Sequence, residues 1–207
     1  MATGEGGLRE RKKRETRYAL SQAAIRLTLE RGWDNVSVED IAAAANVSER
    51  TFRNYFANKA EAIVATHVER GRRTAEALRA RPADEPLWDA LVNAVVAQFE
   101  PPPGSDGTVP TGYPAALQRL LAEPAVQYEV FRAHATAQDD LTNAIATRTG
   151  TGTGTDPGDL YPQLVAAVVS AGLGTALTRW TQNPTGSIAP LLREVFDQIR
   201  AGLPAPR

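Results

Sequence analysis

The sequence predicts an all-α protein of about nine helices, in which a small N-terminal three-helix domain precedes a larger helical domain. Alanine accounts for 35 of the 207 residues, and apolar residues recur at helical spacing along most of the chain. Few runs show the alternation of apolar β-branched and polar residues that is typical of strands. Proline and glycine cluster at 101–112 and 150–158, which we predict to be loops.

The first helix is predicted to start near Thr16 and to end before Gly32. Its apolar residues follow the i, i+3, i+4, i+7 pattern: Leu20, Ala23, Ala24 and Leu27. Glycine is the residue that most readily adopts the left-handed backbone that follows a helix end. Gly32 therefore marks the end of this helix.

Two short helices are predicted next, at 38–45 and from Ser48 through Tyr55. Ser37 can cap the first of them, and Asp40 lies three residues later, as in a capping box. Asn46 tolerates a positive φ angle and suits the turn between the two helices. Six longer helices are predicted after them, at 59–81, 87–99, 114–122, 125–149, 159–181 and 187–203.

Charge is distributed unevenly although the whole chain carries a net charge of only −1. Residues 1–81 hold 16 basic and 11 acidic side chains, whereas residues 82–207 hold 7 basic and 13 acidic ones. The densest basic run extends from Arg9 to Arg17. This asymmetry predicts that the N-terminal part faces an anionic partner. We expect the basic run to reach along the backbone of that partner or into a DNA minor groove, and a solvated tail stays the alternative.

The two short helices fit a helix-turn-helix, whose second helix enters the major groove of DNA. The predicted core of the three-helix domain comprises Leu20, Ala24, Leu27, Val38, Ile41, Ala42, Val47, Phe52 and Phe56. The residues left outside on the third helix are polar, and arginine and asparagine can form paired hydrogen bonds to base edges. Double-stranded DNA is therefore the predicted partner.

Residues 16–63 resemble the DNA-binding domain of the TetR family of bacterial transcriptional regulators. The resemblance rests on the Ser37–Ala42 stretch, the Ala45–Ser48 turn and, above all, the Tyr-Phe-x-x-Lys ending from Tyr55 to Lys59. It implies an all-helical homodimer that is released from DNA by a small effector. We expect a cytoplasmic repressor on a palindromic operator, and activation in place of repression stays open. We expect four segments: a basic arm (1–15), the helix-turn-helix domain (16–58), a connecting helix (59–81) and an effector-binding and dimerisation domain (82–207).

The resemblance places Thr51, Arg53 and Tyr55 at DNA-contacting positions, Lys59 at a phosphate contact, and Ser37 and Ser48 at helix N-termini near the backbone. Side-chain chemistry adds Arg50 and Asn54 to the predicted contacts, and the basic run adds Arg14. The sequence departs from the family pattern at several positions: Thr28, Val36, Asn46 and Arg53. Whether Arg53 reads a base or holds a phosphate stays open.

The last two helices are predicted to form the dimer interface, because small residues allow close helix approach and apolar ones supply area. The predicted interface residues are Leu164, Val168, Gly172, Leu191, Leu192 and Val195. The alternative is that these residues pack inside one chain.

The effector site is predicted among aromatic and polar residues of the second domain: Trp88, Phe99, Tyr128, Phe131, His134, Gln138 and Trp180. The helix pattern of 125–203 also resembles a TetR subgroup with an acyl-CoA-like ligand-binding domain, which implies a bulky, partly apolar effector. Aromatic residues at helical spacing are also typical of an ordinary core, and that reading stays open.

Other chemistries are weakly indicated. The chain has no cysteine, and its two histidines belong to no metal-binding motif, so we expect no metal, no cofactor and no catalytic residue. The uncharged stretch from Leu160 to Thr178 contains several polar residues, and we expect a buried helix there and no membrane partner. The rival hypothesis is a helical enzyme or a non-DNA adaptor with an incidental helix-turn-helix.

Overall fold

The computed structural model describes residues 3–100, 112–151, 160–182 and 186–204, and every regular element in these ranges is helical. The nine α-helices of the described ranges are α1 (Thr3–Arg31), α2 (Val38–Ala44), α3 (Glu49–Arg53), α4 (Lys59–Ala80), α5 (Leu87–Val96), α6 (Tyr113–Ala122), α7 (Pro124–Thr149), α8 (Leu160–Gln182) and α9 (Ala189–Arg200). A 3-10 turn, Trp33–Asn35, precedes α2. The all-α prediction is confirmed. The two predicted loops lie almost entirely outside the described residues.

Helix α1 starts thirteen residues earlier than the sequence analysis predicts, at Thr3 instead of Thr16. Residues 8–17 are mostly leucine, arginine, lysine and glutamate, which favour helices, and they include no glycine or proline. Arg11 and Glu15 add an ion pair at i, i+4 spacing, with 3.5 Å between Nε and Oε1. The predicted basic arm is therefore part of a helix over its described residues.

The chain packs as two compact units, and α4 and α7 each contribute to both. The first unit comprises residues 1–67 and 115–133, and the second comprises residues 68–114 and 134–207. This division follows packing and differs from the segments expected from the sequence, whose functional boundaries stay a prediction.

The first unit is built largely on the predicted apolar core. Leu20, Ile41, Phe52 and Phe56 are buried as expected, whereas Val38 and Val47 are only half-buried. Val36 is buried as well. It directly precedes the Ser37 cap, and Ile41 is the fourth residue of α2. These are the two positions of a hydrophobic staple, in which the two side chains pack together at the start of a helix.

The second unit has a core formed by α4, α5, α7, α8 and α9, whose largest members are Leu78, Leu91, Ile145, Leu192 and Phe196. Helices α4 and α7 approach closely where Gly71 faces Ala137: a Cβ atom on Gly71 would lie 2.5 Å from the Ala137 Cβ. Arg148 at the end of α7 donates to the carbonyls of Pro82 and Glu85, at 2.5 and 2.7 Å. These bonds fix the connection between α4 and α5.

Helix α8 is the one helix of the described residues that is long and apolar enough to cross a membrane by length and composition. About a third of its most apolar window is buried inside the chain. A core or interface helix of a soluble protein has the same character, so this feature by itself is weak evidence for a span.

Candidate nucleic-acid interface and effector region

The start of α2 is fixed by a capping box. The Ser37 Oγ accepts a hydrogen bond from the Asp40 backbone N–H at 3.0 Å, and the Asp40 carboxylate accepts one from the Ser37 N–H at 2.8 Å. The same carboxylate accepts a bond from the Ser37 hydroxyl at 2.6 Å. These hydrogen bonds, with Arg31 nearby, lower the pKa of Asp40. Ser37 thus lies at a helix N-terminus, as predicted, but its hydroxyl is already engaged.

The turn of the motif uses a left-handed asparagine. Asn46 has a φ of 56°, and the Val47 N–H donates to the Ala42 carbonyl at 3.0 Å. Asparagine is one of the few non-glycine residues that adopt this conformation at low cost. Asn46, a departure from the pattern that the sequence resembles, therefore leaves the turn intact.

Helix α3 presents a polar surface opposite a buried phenylalanine. Ser48 caps it by accepting the Thr51 N–H at 3.1 Å, and Phe52 packs on Phe56 with 5.6 Å between ring centroids. The helix ends at Arg53, two residues before the predicted end, because the Tyr55 N–H bonds to the Phe52 carbonyl and tightens the last turn. The predicted contact residues on this surface are exposed or half-buried: Ser48, Arg50, Thr51, Arg53, Asn54 and Tyr55.

Arg53 is held by Glu49, one turn earlier on the same helix. Its Nε and Nη2 atoms lie 3.0 and 2.5 Å from the Glu49 Oε1. Both side chains are substantially exposed, and such a pair contributes about 0–1 kcal/mol. A bidentate contact with a base discriminates by about 1–3 kcal/mol, so Arg53 can exchange Glu49 for DNA without a large penalty.

Lys59 has a structural role in addition to its predicted phosphate contact. Its Nζ donates to the carbonyls of Trp33 at 2.6 Å and Val36 at 3.0 Å, and it lies 4.0 Å from the Trp33 ring centroid. Burial lowers the pKa of Lys59, and Asp34 and Glu123 act in the opposite direction. The ammonium group therefore joins the start of α4 to the segment that precedes α2. Contact with phosphate stays a prediction.

The predicted effector residues fall into two groups. Trp88, Phe99 and Trp180 are half-buried against the core of the second unit, and the Trp180 Nε1–H donates to the Gly186 carbonyl at 3.1 Å. His134 and Gln138 are half-buried on α7 in the same unit.

Tyr128 and Phe131 belong to the first unit, where 62% and 74% of their surface is exposed. In a single chain these two rings lie on the surface of α7, outward of its buried residues Val126 and Ala133. The structure thus does not gather the whole predicted set in one unit.

Arg70 on α4 is a candidate that the sequence analysis missed. Its guanidinium carbon lies 4.4 Å from the centroid of the Phe99 ring, and burial lowers its pKa. Tyr113 acts in the opposite direction on that pKa. A half-buried cation in contact with an aromatic ring is an environment that suits an anionic group of a ligand. Arg70 lies in a helix rich in charged residues, so no sequence signal separates it from its neighbours.

The predicted dimer residues also divide. Leu164 and Val168 are exposed on α8, at 52% and 36%. Leu192 is fully buried in the core of its own chain, and Gly172 faces Ile199, whose Cδ1 would lie 2.8 Å from an added Cβ. Leu191 and Val195 are partly buried against the same core. Burial of Leu192 and Gly172 therefore needs no second copy, which favours for these two residues the alternative that they pack inside one chain. The dimer interface stays a prediction.

No group of three or more histidine, aspartate or glutamate side chains in the described residues has the arrangement of a metal site. The first unit, by contrast, has the elements of a DNA-binding protein: a capped helix, a tight turn, and a second capped helix with a polar outer surface.

Comparisons with known proteins define the class further. The family model described as "Bacterial regulatory proteins, tetR family" matches residues 20–66, and the model of the MftR C-terminal domain matches residues 85–204. The chain belongs to the TetR family, and it is a ligand-responsive, DNA-binding transcriptional regulator.

Two curated relatives match most of the chain. The transcriptional regulator TcmR of Streptomyces glaucescens is 31% identical over 181 residues, which cover 84% of this chain and 76% of TcmR. The putative mycofactocin biosynthesis regulator MftR of Mycobacterium tuberculosis is 28% identical over 197 residues, which cover 93% of each chain. Both are named as transcriptional regulators, and neither name indicates an enzyme.

Solved structures share the fold. The fatty acid degradation regulator FadR of Bacillus halodurans superposes with a TM-score of 0.58 at 19% identity, over 92% of this chain and 97% of FadR. A putative TetR-family regulator from a Rhodococcus species gives a TM-score of 0.54 at 17% identity, over 90% and 97% of the two chains.

Proposed function

We propose that this regulator is a cytoplasmic repressor that binds a palindromic operator as a homodimer and leaves it when a small, partly apolar effector binds. The observation that supports DNA binding is the surface of α3: the helix buries Phe52 and leaves Arg50 and Arg53 exposed, with Asn54 exposed directly after it. A helix with this division can lie in the major groove with its polar side on base edges and phosphates.

The homodimer proposal is supported by the exposed surface of α8. Leu160, Leu164 and Val168 lie at i, i+4 spacing and are each at least 36% exposed, and Tyr161 beside them is 50% exposed. No charged residue occurs from Leu160 to Thr178. A contiguous apolar surface of this kind is typical of a protein interface, and a two-fold dimer would present two α3 helices to one operator.

A charge on α8 tests the dimer. Leu164→Glu should give a monomer in light scattering and should weaken operator binding by more than tenfold, since one α3 helix would then bind alone. Ala83→Glu adds the same charge at an exposed position between α4 and α5 and should leave both measurements unchanged. A Leu164→Glu variant that stays dimeric with normal operator affinity would remove α8 from the interface. Leu192→Glu would not serve, because it places a charge in the core of the chain.

The effector proposal rests on the second unit. Trp88, Phe99 and Trp180 supply apolar surface there, and Arg70 supplies a half-buried cation in contact with Phe99. A fatty acyl thioester combines an apolar chain with anionic groups, and the FadR relative in fold is named as a regulator of fatty acid degradation. We therefore propose an acyl-CoA-like effector whose anionic part is held by Arg70.

Tryptophan fluorescence tests the effector, since Trp88 and Trp180 both lie in the second unit. A long-chain acyl-CoA should quench emission and lower operator affinity over the same concentration range, whereas coenzyme A alone should do neither. Arg70→Gln should weaken both effects at least tenfold and leave DNA binding without effector unchanged. Flat fluorescence with no release of DNA, or an Arg70→Gln response equal to wild type, would contradict the proposal.

A further inference from the structure

The first unit contains an open groove between the N-terminal part of α1 and the end of α3. It has a volume of about 580 Å³ and is lined by Arg9, Glu10, Lys12, Lys13 and Thr16 from α1, with Asn54 and Tyr55 opposite. Asn54 and Tyr55 directly follow α3 in the chain, and both are among the predicted DNA contacts. The groove is thus continuous with the predicted DNA-contacting surface.

The groove is positively charged. Arg9, Lys12 and Lys13 contribute three cations against the single carboxylate of Glu10, and all four side chains are exposed. The ion pair formed in this part of the described chain joins Arg11 to Glu15, neither of which lines the groove. The three cations therefore remain available to an anionic partner.

Arg17 fixes the two walls of the groove relative to each other. Its guanidinium carbon lies 4.6 Å from the Phe56 ring centroid, and its Nη1 donates to the Tyr55 carbonyl at 3.4 Å. Because Arg17 is on α1 and Tyr55 follows α3, these contacts join the basic helix to the end of α3. The spacing of the groove is consequently a property of the folded unit.

The helical state of α1 restricts how this segment can meet DNA. An α-helix with its side chains is about 10–12 Å wide, whereas the minor groove of B-DNA is about 6 Å wide. The helix extends to Thr3, so the basic segment cannot enter the minor groove in the way an extended arm does. Long lysine and arginine side chains on a helix can instead reach phosphates across the edge of a groove.

We propose that this groove binds the phosphate backbone of DNA beside the bases that α3 faces, and that it adds affinity without adding sequence preference. The proposal rests on the DNA-binding function of the first unit and assigns Arg9, Lys12 and Lys13 as further phosphate contacts. A nucleic-acid backbone suits the groove better than a small anion, because the lining side chains are exposed and spread along two turns of helix.

The test is the salt dependence of binding by the double variant Lys12→Gln/Lys13→Gln. Glutamine keeps helix propensity, and each lost phosphate contact should reduce the log–log slope of affinity against salt by about 0.9, so the slope should fall by about 2. The loss of affinity should be equal on operator and on unrelated DNA. Arg26→Gln/Arg119→Gln removes the same charge from exposed positions outside the groove and should leave the slope unchanged.

A variant that removes a negative charge from the groove completes the test. Glu10→Gln removes the carboxylate from the groove and should tighten binding to both DNAs, whereas Glu30→Gln at the far end of α1 should not. Three results would each contradict phosphate binding in the groove. They are an unchanged salt slope in Lys12→Gln/Lys13→Gln, an equal reduction of the slope in the control pair, and a loss of affinity confined to the operator. Absence of DNA binding by the wild-type chain would instead contradict the proposed function.

Discussion

Lys59 combines a sequence-predicted position with a structural role that only the fold reveals. The Tyr-Phe-x-x-Lys ending predicts that this residue starts α4, and the structure confirms that start. Its two hydrogen-bond partners are main-chain carbonyls 23 and 26 residues earlier. Carbonyls carry no side-chain signature, so the sequence could not predict this connection.

Replacing Lys59 by methionine keeps the aliphatic stem and removes the ammonium group. The carbonyls of Trp33 and Val36 then lose a donor in a partly buried place, which should lower the free energy of unfolding by about 1–3 kcal/mol. Urea unfolding followed by circular dichroism measures the change. Lys13→Met on the exposed surface of α1 should stay within about 0.5 kcal/mol of wild type. Equal stability of the two variants would show that the Lys59 contacts contribute nothing.

Local features could be predicted from the sequence where they depend on one residue or on residues close together in the chain. The Ser37–Asp40 capping box and the left-handed Asn46 were both expected from residue type and spacing, and both are confirmed. Thr28, another departure from the family pattern, is buried and donates its hydroxyl to the Ala24 carbonyl at 2.7 Å. A buried hydroxyl with a partner one turn away does not disturb the helix core.

At the scale of elements, helices with clear stop signals were predicted to within one to three residues at each end. Helix α4 ends one residue early at Ala80, and α9 ends at Arg200, before Gly202 with its φ of 81°. Helix α1 was misplaced at its start because Thr16 can cap a helix, whereas in the structure its hydroxyl donates to the Lys12 carbonyl within α1 and no glycine or proline interrupts residues 8–17. Where a segment has no residue that marks a helix start or end, helix propensity alone decides the boundary.

Helices α4 and α7 depend on glycine for their close approach. Gly71→Ala would place a Cβ 2.5 Å from the Ala137 Cβ and 3.3 Å from its Cα, so the two helices would have to separate. Overpacking of this kind costs about 1–3 kcal/mol, measurable as a lower urea midpoint. Gly174→Ala meets no atom within 4 Å in a single chain and should be neutral or slightly stabilising. A Gly71→Ala variant as stable as Gly174→Ala would contradict the tight crossing.

On the scale of the whole molecule, the net charge of −1 conceals two parts of opposite sign. The basic part contains the capped helix pair and the groove on α1, and the acidic part contains most of the second unit. This asymmetry was visible in the sequence, and so was the DNA-binding class. The effector residues were less predictable, because aromatic side chains at helical spacing are typical of both a core and a pocket. Arg70 becomes a candidate only through its contact with Phe99 and its burial, which the sequence does not show.

The most direct test of the account is a footprint of the purified protein on the DNA upstream of its own gene, for wild type and for Arg50→Ala/Arg53→Ala. The account predicts protection at two major grooves about one helical turn, or 10 base pairs, apart on one face of the DNA. The variant should lose this protection while its circular dichroism stays that of wild type, because both arginines are exposed. An unchanged footprint in the variant would contradict the assignment of α3 as the recognition helix.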